Sequence, residues 1–172
     1  MTIQRICESK IYRSVFDSLP TEARLDANWG WDRKNTARWP LGLQAKMDNW
    51  LIVSERLKFL RQNLARAANR PKPQTITVTI DYVYVVGEKQ NWCDPFTGEA
   101  LEFQRGGDWG SKNAFGTGAS NPLSCSIDRI DSSKGYVKGN IQLVTAKTNV
   151  AKGNMNNAEF IEYCKKVAQN HQ

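Results

Sequence analysis

Histidine is almost missing from this chain: 172 residues contain one, His171, beside the C-terminus. Chemistry that rests on a His base, or on His-rich metal ligation, therefore has no ordinary donor in the body of the sequence. Cysteine is scarce and scattered. Cys7, Cys93, Cys125 and Cys164 form no Cys-x-x-Cys pair. Structural zinc wants four Cys or His ligands, usually closely paired, so none is expected. Long apolar runs are absent as well, which argues against a membrane span. Met1–Lys10 holds neither an apolar core nor a small-residue cleavage site, so a secretory signal is not expected. The expectation is a cytoplasmic chain with free thiols in place of disulfides.

What is present is positive charge, unevenly placed. Residues 1–75 carry 14 Lys and Arg against 7 Asp and Glu, while residues 76–172 carry 10 of each. The whole excess of +7 thus lies in the first half. Such a field suits a polyanion through phosphate contacts and counterion release. A solvated basic face is the plainer alternative that charge alone leaves open.

Hydrophobic spacing predicts a helix over 3–18, ending before Leu19-Pro20. A loop with Trp29, Trp31 and Trp39 follows, either packed on the core or stacked on bases. Leu43, Met47, Trp50, Leu57, Leu60 and Leu64 then mark the apolar stripe of a long helix from about Leu41 to Ala68. Arg56, Arg61 and Arg66 on that helix are candidate DNA contacts. Asn69 to Pro73 ends it as a short stiff linker. Thr75 to Ile80 alternate like a strand, yet Thr79 can cap a helix from Ile80 to Gln90, and the helix is the favoured reading. Residues 105–122, rich in Gly, Ser and Asn, read as a mobile loop.

Chemistry concentrates further on. Ser126-Ile127-Asp128-Arg129-Ile130-Asp131 leads into a polar loop holding Lys134, Gly135, Tyr136, Gly139 and Asn140. Ile141-Gln142-Leu143-Val144 follows, and then Asn149 and Lys152 in a helix start. A strand, a loop, a second strand and a helix can set a strand-end carboxylate opposite a helix side chain. Asp128 and Asn149 can then hold a divalent cation through oxygen atoms. Sparse protein ligation suits Mg²⁺, with Mn²⁺ as a substitute. Taken singly, Asp128, Asn140 and Asn149 also suit turns and caps. Their joint order is what points to a site.

That stretch resembles the ββα-metal motif of HNH (His-Me finger) endonucleases, in a group common in phages and mobile elements. The likeness extends to Gln90-x-x-Cys93, Thr97-Gly98 and Glu159-Phe160-Ile161, and covers roughly residues 76–168. It implies a nuclease domain over 75–172 and says nothing of the residues before it; with the basic helical arm over 1–74, read from its charge as a DNA contact, the expectation is an α+β protein. It implies catalytic roles for Asp128, Arg129, Asn140 and Asn149, with Asp128 and Asn149 on the metal and Asn140 bracing the loop. Lys134 and Lys152 become further phosphate contacts. One position departs from the pattern: Arg129 stands where the motif has its water-activating His. Arg stays protonated, so it can grip a phosphate but cannot take a proton. Tyr136 and Asp131 are the remaining candidate acceptors.

Overall fold

Leu41–Ala68 form the longest element of the computed structural model, which describes residues 5–21, 23–24, 40–70, 74–104 and 121–171. Residues 25–39 of the tryptophan loop, most of the 105–122 loop and residues 71–73 of the expected linker lie outside the described residues; Thr21, Ala23 and Arg24, expected in that loop, are helical, with Ala23 buried. Among those described, the order is α1 (Lys10–Asp17), α2 (Leu41–Ala68), α3 (Ile80–Lys89), β1 (Cys125–Arg129), β2 (Ile141–Thr145), α4 (Ala146–Lys152) and α5 (Asn157–Gln169). The protein is α+β. No helix among the described residues is long and apolar enough to cross a membrane.

The expected first helix is broken in two. Ile6–Glu8 make one 3-10 turn, Ser9 is extended, and α1 starts at Lys10. Ser9 causes the break by capping α1: its hydroxyl accepts from the Tyr12 N–H at 3.1 Å. That hydroxyl also donates to Asp81 of α3, whose other oxygen accepts from the Lys10 N–H at 3.1 Å. A carboxylate 71 residues away thus satisfies an end group that the local sequence leaves open.

α2 presents different neighbours along its length. Its first turns put Met47 and Trp50 against Leu19 and Ala23. Further on, Val53, Leu57, Leu60 and Leu64 enter one core with Ile76, Ile80, Val83, Ile127, Ile141 and Leu143. Residues on both sides of position 74 share that core. The boundary drawn there marks a change of charge, while the packing runs through it.

Both readings of residues 75–90 describe a part of them. Thr75 and Thr77 hydrogen-bond the Tyr136 backbone in an extended bridge, with Tyr136 N–H donating to the Thr75 carbonyl at 2.8 Å. Thr79 then caps α3 by accepting from the Tyr82 N–H at 3.2 Å. The β-branched side chains cost some helix propensity. The i, i+3, i+4, i+7 set Ile80, Val83, Tyr84 and Gly87 is buried, and that burial outweighs the cost. Val85, off that face, points outward at 37% exposure. Gly87 is needed because the Trp92 ring lies on it, and a Cβ there would sit 2.2 Å from that ring.

β1 and β2 are antiparallel, with Ile127 opposite Leu143 and Asp128 opposite Gln142. Alternation gives the hairpin two unlike faces. Cys125, Ile127, Ile141 and Leu143 face the core beneath α2 and α3. Ser126, Asp128 and Gln142 face the other way and meet α4 and α5.

Two side chains from residues 90–94 lock the hairpin to α3. The Gln90 amide accepts from Leu143 N–H at 2.9 Å and donates to Leu143 O at 2.7 Å, acting as a third strand one residue wide. Asp94, 1% exposed, accepts from the Thr145 N–H and hydroxyl where β2 becomes α4. Burial pushes its carboxyl up, but the Thr145 N–H, the Thr148 hydroxyl and the Phe96 N–H outweigh that and hold it below its usual value.

Candidate functional site

The polar face of the hairpin is roofed by α4. Thr145 caps that helix by accepting from the Thr148 N–H, which fixes where its side chains fall. Asn149 and Lys152 are one turn apart and so project to the same side. Asn149 Nδ2 donates to Ser126 Oγ at 2.8 Å. Lys152 Nζ lies 3.1 Å from Asp128 Oδ2 and donates to the Arg129 carbonyl at 2.8 Å. Asn149 thus meets Ser126, two strand positions before Asp128, while Asp128 meets Lys152, one turn after Asn149.

Lys152 lies elsewhere than the sequence suggested. The resemblance makes it a phosphate contact, but its side chain is wholly buried. The Asp128 carboxylate draws it in, because a buried charge needs a partner. Gln142 completes the group, donating from Nε2 to Asp128 Oδ2 at 2.9 Å. Gln142 and Asn157, at the start of α5, exchange reciprocal amide bonds of 2.9 Å. The sequence reading passed over Ser126, Gln142 and Asn157. The period-2 pattern of β1 could have found Ser126, and the antiparallel register found from it would have added Gln142.

The loop between the strands is organised from within. Asn140, 5% exposed, accepts from the Asp131 N–H and donates to the Asp131 and Gly135 carbonyls, each at 3.0 Å. Arg129 is on the core-side face of β1, away from Asp128. Its guanidinium donates to Gln74 Oε1 at 2.7 Å, to Ser132 O at 2.8 Å and to Lys134 O at 3.3 Å. It also lies 5.6 Å from the centroid of the buried Tyr136 ring. In this arrangement Arg129 holds its own loop and is not presented to a phosphate.

The candidate proton acceptors are poorly placed for that role. Tyr136 is 3% exposed. Asp131 accepts from the Ser133 hydroxyl and N–H and pairs with Lys134 at 3.1 Å. Those donors, Ser133 foremost, draw its carboxyl down to about 2. A carboxylate so stabilised is a weak base. His171 lies exposed, past the end of α5.

Nor does the donor set, as it stands, fit a resident divalent cation. Asp128 is one carboxylate, its charge already balanced by an ammonium and both its oxygens engaged. Among the described residues no three His, Cys, Asp or Glu side chains gather. Of the cysteines, Cys125 is buried, which pushes its thiol up to about 12, and Cys93 Sγ donates to Asn91 O.

No family model matches this chain, and neither does any curated protein or solved structure. The functional reading therefore rests on the chain's own residues.

The basic residues of α2 divide by orientation. Arg66 is exposed and Arg61 half-buried. Arg56 packs 4.2 Å above the Trp92 ring and 5.2 Å from Phe103, and bonds Tyr84. Such cation–π contacts hold the Arg56 guanidinium against the core aromatics. Lys134 remains mostly exposed beside Asp131. If α2 meets DNA, Arg66→Ala lowers the log–log salt slope of binding by about 0.9, the value for one phosphate contact. Arg56→Ala instead lowers stability and leaves the slope alone. Salt titrations of DNA affinity, with a urea melt of each variant, read both.

Proposed function

We propose that this protein is a metal-dependent DNA endonuclease of the HNH, His-Me finger type, hydrolysing phosphodiester bonds at the polar face of the hairpin. One observation carries the reading. Asn149 and Lys152 of α4 meet Ser126 and Asp128 of β1 across a strand–strand–helix unit, in the segment whose residue order resembles that motif. The basic first half of the chain supplies a field for a polyanion. Cleavage has to start from a state in which Lys152 no longer balances Asp128.

A second reading is favoured by that same ion pair and by Arg129 in place of a base: a DNA-binding protein that keeps the finger as a silent scaffold. Plasmid nicking in Mg²⁺, Mn²⁺ and EDTA across pH, beside gel retardation, separates the two. The nuclease reading expects nicking that needs metal, is slow, and rises with pH, since help from a good general base is worth about 10²–10⁴-fold. Retardation without nicking in any metal or at any pH would establish the scaffold reading.

A further inference from the structure

We infer that Lys152 is the resident counter-ion of Asp128 and keeps divalent cations off that carboxylate in the DNA-free protein. The inference concerns the ion pair itself and holds whether or not the finger cuts DNA.

The ammonium is fully committed. Its three acceptors are Arg129 O at 2.8 Å and the Asp128 oxygens at 3.1 and 3.4 Å. Its side chain is 0% and that of Asp128 5% exposed, so water does not share the work of solvating either charge. Gln142 takes a further lone pair of Asp128 and is itself held by Asn157. A divalent ion added beside this pair would set three positive charges against one carboxylate in a poorly solvated place. Repulsion at such range, weakly screened, opposes that strongly. With no acidic cluster among the described residues to offset the charge, a metal gains Asp128 only when Lys152 leaves it. The carboxylate, the strand carbonyl and the helix lysine together form a closed, self-neutral unit. The hairpin and α4 are thereby held together without metal, in contrast to small domains whose metal supplies their folding energy.

Mn²⁺ binding to the full chain without DNA tests this. Free Mn²⁺ is followed by electron paramagnetic resonance for the wild type, Lys152→Met, Asp128→Asn and the Asp128→Asn, Lys152→Met double variant. The wild type is expected to show no saturable site tighter than about 1 mM. Lys152→Met should bind at least about tenfold tighter, with a melting temperature that rises with Mn²⁺, because removing the ammonium frees the carboxylate. The double variant should lose both effects, which locates the ion at Asp128. Equal binding by wild type and Lys152→Met would overturn the inference, as would undiminished binding by the double variant. Should Lys152→Met fail to fold, the wild type still decides: a saturable Mn²⁺ site that Asp128→Asn abolishes means Lys152 does not keep metal away. Cleavage is not read in this experiment, so its failure is distinct from failure of the nuclease proposal.

Discussion

Lys152→Met is expected to destabilise the fold by about 3–5 kcal/mol in metal-free buffer, the usual cost of removing one partner from a buried ion pair. The loss comes from what is left behind more than from the bond removed. Asp128, 5% exposed, keeps Gln142 as a donor but has no cation to offset its charge. The Arg129 carbonyl loses its donor too. For a chain of this size each kcal/mol corresponds to about 2–4 °C in melting temperature, so the shift is easily measured. Adding Asp128→Asn to Lys152→Met should restore most of the stability, since a neutral pair of similar shape often equals a buried salt bridge. Urea unfolding midpoints in EDTA for the wild type, the single variant and the double variant give the coupling directly. A single variant as stable as wild type would mean that Lys152 and Asp128 are solvated in solution and that the roof over the hairpin is open.

Asn140→Ala should be nearly as damaging, at about 2–4 kcal/mol. Three hydrogen bonds leave with the amide, and the Asp131 N–H and two carbonyls lose partners in a place where 5% of the side chain is exposed. Asn140→Asp is the sharper probe. It keeps an acceptor for the Asp131 N–H but turns the donor side toward the Asp131 and Gly135 carbonyls with no proton to give. We expect it to be no better than alanine, although it is the closer replacement in shape. Amide hydrogen exchange at Asp131, measured alongside urea unfolding, should show protection lost in the alanine variant. A cost below about 1 kcal/mol for Asn140→Ala would show that the loop stands on Arg129 alone, through its bonds to Ser132 O and Lys134 O.

Both variants depend on a loop and a pair that were partly legible beforehand. The ordered run from Ser126 to Lys152 announces two short strands and a helix, since each piece carries its own period and its own cap. Asn140 as a loop brace follows from the resemblance to the finger motif, since an Asn by itself suits any turn or cap. Thr79 as a helix cap and the stripe from Leu43 to Leu64 follow from spacing. Local rules of this kind depend only on neighbours a few residues off.

Where a side chain meets something distant, sequence gave direction along the element but not the partner. Ser9 breaks the first helix because Asp81 of α3 reaches its end. A helical wheel sets Arg56 beside the apolar stripe and Arg66 away from it, but that Arg56 lies against Trp92 is decided by the fold. Gln90 completes the sheet through Leu143, 53 residues away. Nothing near either residue in the chain marks the pairing.

The sequence by itself determined the α+β class, the long basic helix and the strand–strand–helix order, because period and capping are local and the two faces of a strand alternate. The tertiary structure alone decided that Lys152 turns inward to balance Asp128, and that Arg129 turns to its own loop. A charge taken out of water binds to the nearest opposite charge or dipole that the fold brings within reach. For Lys152 that partner arrives from β1, 24 residues earlier in the chain.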